Sequence, residues 1–141
     1  MNDLTLLYAL IRRFEGCKLM PYFCPAGKLT CGFGSTGPGV VMGQAWTMEY
    51  AEKRMQSDAL MFARKTLELC PSLRGASMCA IADFSYNLGL GRLRTSTLRK
   101  RILAGDMQGA SVELSKWVYG DGRVLPGLVK RRAAEALLLS F

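Results

Sequence analysis

The chain has no histidine among its 141 residues. That removes Ser-His and Cys-His nucleophilic dyads as ordinarily built and leaves any zinc site to thiolates and carboxylates alone. Cysteine is odd in number, at Cys17, Cys24, Cys31, Cys70 and Cys79, and no Cys-x-x-Cys pair occurs. A disulfide framework and a metal site are both disfavoured, so Cys17, Cys31, Cys70 and Cys79 read as reduced, buried, small hydrophobes. Long apolar runs are also missing. Leu4 to Ile11 is broken by Thr5 and ended by Arg12-Arg13, far short of the roughly 20 residues of a membrane span. The N-terminus shows neither the basic front nor the small-residue cleavage tail of a secretion signal, and the chain reads as made and kept in cytoplasm. Acid and base work falls to carboxylates, thiols or water.

Half of the residues are hydrophobic, enough for one domain with a sizeable core over residues 1–141. Basic residues outnumber acidic ones 19 to 11, for a net charge of +8, and ten of the nineteen lie between Arg92 and Arg132. Such a surface favours polyanions: nucleic acid, anionic lipid or a negatively charged cell wall. No helix-turn-helix or RNA-binding signature accompanies the charge, so nucleic acid is not expected as a partner.

Leu4, Leu7, Tyr8, Ile11 and Phe14 recur at helical spacing behind Asn2 or Asp3 as an N-cap, which predicts a helix ending near Glu15. There the helix dipole disfavours negative charge and favours a protonated carboxyl. Glu15 and Cys24 lie nine positions apart, which would set them on opposite faces of one helix, so the chain must reverse between them. Gly16, Pro21, Pro25, Gly27, Gly32 and Gly34 permit the reversal and a short sheet from about Leu19 to Phe33, followed by the loop Ser35 to Gly39. From Thr47 the pattern is helical: a long helix to about Leu69, a central one from Arg74 to Leu88, a short one from Ser96 or Thr97 to Ala104, one from Asp106 to about Val118, and a last one from Pro126 to Leu139. Gly120 to Arg123 reads as a loop. The long helix bridges two lobes, about 1–46 and 47–141, and a ligand cleft is expected between them.

A glycosidic bond is hydrolysed by one group that protonates the leaving oxygen and a second that attacks the sugar or activates water. Glu15 can be the acid, while Thr30 and Cys24 can orient a water and accept its proton. The set Glu15-Gly16, Tyr22, Cys24, Gly27, Thr30 and Gly32-x-Gly34 resembles the phage-type lysozymes, the endolysins of glycoside hydrolase family 24, with their pattern of Glu, eight residues, Asp or Cys, five residues, Thr. The similarity continues through Phe84 to Gly89, Ser96-Thr97-Leu98, Gly105-Asp106, Trp117 and Leu125 to Arg132.

The resemblance implies an α+β, mainly α, two-lobed lysozyme fold with a small N-terminal sheet. It implies Glu15 as general acid, Cys24 as the group that activates or positions water and Thr30 as the group that holds it. The reaction would be inverting hydrolysis of the β-1,4 bond between N-acetylmuramic acid and N-acetylglucosamine, without cofactor or metal. Gly34, Ser35 and Asn87 would bind substrate in the cleft, and Arg131, Arg132 or Arg123 would pair with Glu15; Phe84 and Trp117 read as core. Cys24 stands where many members carry Asp, and Ser35 where many carry His. The expected partner is peptidoglycan, reached by a monomer from the host cytoplasm once a holin-type protein has permeabilised the inner membrane, with no membrane insertion of the chain's own. Two other readings fit the same residues: a wall-binding protein of this fold without turnover, and a lytic transglycosylase.

Overall fold

The computed structural model describes residues 3–141. Its first helix, α1 (Thr5–Glu15), starts where Asp3 accepts hydrogen bonds from the Thr5 amide at 2.8 Å and the Thr5 hydroxyl at 2.6 Å. Those two bonds stabilise the Asp3 carboxylate and lower its pKa. The N-cap position is Leu4, which makes no side-chain cap bond, so Asp3 stands one residue ahead of the capping position expected of it. Asn2, the other residue expected there, lies outside the described residues. Leu7 and Ile11, four apart on one face, are wholly buried and fix α1 against the core. Gly16 ends the helix at φ +63°, a value its lack of a Cβ permits.

An antiparallel sheet follows, built from β1 (Lys18–Phe23), β2 (Leu29–Gly32) and β3 (Ser35–Thr36) in that order. Tyr22 pairs with Thr30, and Thr30 in turn with Thr36. The register slips between Lys18 and Tyr22, the stretch that holds Pro21, which has no amide hydrogen for the ladder. Ser35-Thr36 is thus a strand and not part of a loop. Gly32 and Gly34, at φ +66° and +80°, turn the chain tightly enough to bring those two residues back beside β2.

Helix α2 (Met48–Leu69) begins at Thr47, whose side chain accepts from the Tyr50 amide. Its 22 residues span about 33 Å at a rise of 1.5 Å each. The buried stripe Ala51, Met55, Ala59, Ala63 is mostly small, which lets α3 (Gly75–Leu88) pack close. Helix α3 is buried at every position from Ser77 to Ser85, including Asp83, and it packs against α1, α2 and α7.

A five-residue helix, α4 (Leu90–Arg94), follows Gly89, in the stretch between Leu88 and Ser96 where no helix was expected; wholly buried Leu93 holds it. Helix α5 (Thr97–Leu103) is capped by Ser96 and α6 (Met107–Leu114) by Asp106. Helix α6 stops four residues short of the expected Val118. The chain turns instead into a hairpin, β4 (Tyr119–Gly120) and β5 (Arg123–Val124). Its two-residue tip, Asp121-Gly122, has positive φ at both positions, the geometry that matches strand twist. The loop expected over 120–123 is therefore this hairpin. Helix α7 (Pro126–Leu138) opens on its proline and brings Arg131, Arg132 and Glu135 into the interior.

Candidate active site

Glu15 is the last residue of α1, with its side chain 20% exposed. Oε2 accepts a hydrogen bond from Arg131 Nη1 at 2.6 Å. Of the three arginines considered for this role, Arg132 is committed to Glu135 and Asn87, and Arg123 is exposed on the β4–β5 hairpin. The helix dipole is accordingly not the only charge at the acid: a guanidinium faces it. Gly34 closes the other side, since a Cβ at that position would lie 2.7 Å from Glu15 Oε1.

The β1–β2 turn carries the thiol. Cys24 donates its amide to the Lys28 carbonyl at 2.9 Å, and Gly27 donates back to Cys24 at 2.8 Å. Backbone hydrogen bonding from Lys28, helped by Ala26 and by the Thr30 hydroxyl, lowers the thiol pKa against a smaller opposing effect of desolvation. Thr30 is itself buried, and its hydroxyl donates to the Lys28 carbonyl at 2.9 Å. Cys24 and Thr30 are brought together as the spacing implied. Burial raises the pKa of Tyr22, the partner of Thr30 in the ladder, and the charges of Glu15 and then Cys24 raise it further.

The other thiols differ. Desolvation raises the pKa of Cys17, Cys70 and Cys79, and Cys31 is buried, donating weakly to the Lys18 and Leu19 carbonyls. Cys17 departs from the expectation of burial, being half-exposed beside Met48.

Ser35 is 2% exposed and its hydroxyl donates to Asp58 at 2.7 Å. It is a buried tie between β3 and α2 and not an open hydrogen-bonder in the cleft. Arg54 completes the tie by pairing with Asp58 at 3.2 Å and donating to the Thr36 and Pro38 carbonyls. Asn87 is half-buried at the end of α3, and Arg132 donates to its carbonyl oxygen at 2.7 Å. Phe84 is core, as expected, and Trp117 packs edge-on against it at 5.4 Å.

Sequence reasoning missed Tyr86 and Asp83. The Tyr86 hydroxyl donates to the Phe33 carbonyl at 2.6 Å and pins the glycine turn beside Glu15. Burial, followed by the charges of Glu15 and Asp58, raises its pKa, so the hydroxyl stays protonated to donate. Asp83 pairs with Arg131 through both oxygens. Its signal was present: a carboxylate within an otherwise apolar helix demands a cationic partner. Among the described residues no cluster of His, Cys, Asp and Glu could hold a metal ion, and no helix is long and apolar enough to cross a membrane.

Residues 12–135 match the model of the phage lysozyme family. An endolysin of Acyrthosiphon pisum secondary endosymbiont phage 1 is 39% identical over 134 residues, 92% of this chain and 91% of that protein. A SAR-endolysin of Bacteriophage PS119 is 33% identical, over 86% of this chain and 73% of its own length. Among solved structures, the active form of P1 phage endolysin Lyz superposes with a TM-score of 0.83 at 26% identity, covering 98% of this chain and 84% of that one. The muramidase domain of SpmX from Asticaccaulis excentricus gives 0.89 at 24% identity over 100% and 99% of the two chains, a likeness of fold. The match to the family model, which takes in both Glu15 and the Arg131 that holds it, makes this chain a member of the phage lysozyme family of glycoside hydrolases.

Proposed function

We propose that this chain is a peptidoglycan muramidase that hydrolyses the β-1,4 bond between N-acetylmuramic acid and N-acetylglucosamine with inversion, acting as one catalytic domain and as a monomer. The observation that carries the reading is a partly exposed carboxyl, Glu15, held by Arg131 at the end of α1, with Cys24 and Thr30 gathered at the β1–β2 turn that follows it.

Glu15 donates its proton to the leaving glycosidic oxygen. Water attacks the anomeric carbon from the opposite face, the bond to the leaving oxygen breaks, and the water's proton passes to Cys24 or through it to solvent. Thr30 orders that water and the turn that carries the thiol. Gly34 gives Glu15 room to meet the sugar. The Asn87 carbonyl is engaged by Arg132, so its amide nitrogen is the group that donates to a saccharide. The biological outcome is lysis of the host bacterium. Access to the wall from the cytoplasm then depends on permeabilisation of the inner membrane by a second protein of holin type.

Mass spectrometry of the soluble products from purified peptidoglycan, with the parent chain and Glu15→Gln side by side, tests the reading. The parent is expected to release muropeptides with reducing ends and one added water per cut, and the variant none. Anhydro-muramic ends would establish a lytic transglycosylase, and no release by either protein would leave a wall-binding module.

A further inference from the structure

Behind Glu15 lies a line of buried charge that the proposed chemistry does not use. The Arg131 side chain is 4% exposed, between Glu15 at 20% and Asp83 at 0%. Arg131 Nε and Nη2 donate to the two Asp83 oxygens at 2.9 and 2.8 Å, and Nη1 is left to donate to Glu15 at 2.6 Å. A planar fork held along one edge by a buried carboxylate cannot turn without breaking two charge-assisted hydrogen bonds. The Phe14 ring, 5.7 Å from the guanidinium carbon, gives it a further contact.

We propose that Asp83 is a positioning residue for Glu15: through Arg131 it fixes the direction of the acid's carboxyl and supplies the negative charge that offsets the guanidinium there. The inference rests on the reading of Glu15 as the general acid. An acid must hold its proton when substrate arrives, and an uncompensated cation in hydrogen-bond contact favours the carboxylate. Asp83 shares that cation and lowers its effect on Glu15.

The other titratable and charged groups around the acid do not replace Asp83. Tyr22 from β1 and Tyr86 from α3 are neutral phenols with raised pKa values, and Cys24 sits in the β1–β2 turn, bonded to Lys28. Asp58 of α2 is tied to Ser35 and Arg54. On α7, Arg132 is paired with Glu135, whose charged form burial disfavours.

The test compares Asp83→Asn, Arg131→Gln, the double variant and Asp83→Glu by kcat and KM on solubilised peptidoglycan fragments across pH. Asp83→Asn is expected to lower kcat by about tenfold or more, leave KM within about threefold, and move the alkaline limb of the activity profile to lower pH. The double variant should be no slower than Arg131→Gln, because Asp83 acts through Arg131. An unmoved limb in a folded Asp83→Asn protein, or losses that multiply in the double variant, would overturn the proposal. Should Asp83→Asn not fold, Asp83→Glu decides: it keeps the charge and displaces the fork, so a lower kcat with the alkaline limb in place is expected, and a kcat equal to the parent's refutes it. Glu15→Gln separates the role of Glu15 from that of Asp83. If that variant turns over, Glu15 is not the acid; if it is dead while Asp83→Asn matches the parent, only the role of Asp83 falls.

Discussion

The Cys24 thiol sits in a turn whose backbone and Thr30 hydroxyl stabilise its ionised form, whereas burial holds Cys17, Cys70 and Cys79 in the neutral form. Cys24→Ser is therefore expected to lose far more activity than Cys17→Ser or Cys31→Ser in a clearing assay on permeabilised Gram-negative cells. Equal losses would reduce Cys24 to packing. Cys24→Asp is sharper. If the thiolate accepts the water's proton, activity in the parent rises with pH as the thiol ionises, and the carboxylate, ionised from about pH 4 upward, should carry that rising limb to lower pH. An unmoved limb would mean that Cys24 holds the water without taking its proton.

Gly34→Ala tests the other wall of the site. Its φ of +80° and the clash with Glu15 Oε1 should cost about 1 kcal/mol of stability or more and lower kcat by about tenfold as the carboxyl is displaced. At this scale spacing could be read as proximity, since the fold sets Gly34 against Glu15 and Thr30 against the turn that carries Cys24. The sequence was silent where a side chain works by touching a distant one. Nothing local distinguishes Arg131 from Arg132, although one meets Glu15 and the other Glu135.

Among the elements, the helices with polar caps were the most legible. Thr47, Ser96 and Asp106 each accept an amide hydrogen bond at the expected start. Thr47→Ala should destabilise the chain by about 1 kcal/mol, readable as a lower urea midpoint with an unchanged slope. Two-residue strands were beyond reach because their pairing is set by turn geometry at Gly32–Gly34 and Asp121-Gly122, with no periodicity to read.

Helix α7 supplies a prediction of its own. Burial, then the hydrogen bond to and charge of Asp83, raise the Glu135 pKa well above the ordinary 4.5. The folded chain thus binds a proton that the unfolded chain releases. Its contribution to stability is complete below the unfolded value and is lost as pH rises through the folded one. Glu135→Gln keeps the shape and removes the titration, so its unfolding free energy should vary less than the parent's from about pH 5 upward. Urea denaturation at several pH values measures this, and parallel profiles would show Glu135 ionised in the fold.

For the molecule as a whole, the division into a small sheet and a helical remainder could be read from where glycine and proline give way to helical periodicity. The routing of buried charge could not, because α1, α3 and α7 meet only in three dimensions. The net charge of +8 acts at long range. Apparent KM on whole cell walls should rise steeply between about 50 and 300 mM salt, while kcat stays nearly constant. A flat salt dependence would remove surface charge from wall capture.

The bond between Glu15 and Arg131 spans 116 positions of sequence. During synthesis the acid emerges 116 residues ahead of its clamp, so a ribosome must finish α7 before Glu15 can be held in place. The nascent chain is in this sense silent until α7 is made. A message cut short upstream of α7 would yield a fragment that carries Glu15, Cys24 and Thr30 but has no means to fix the acid.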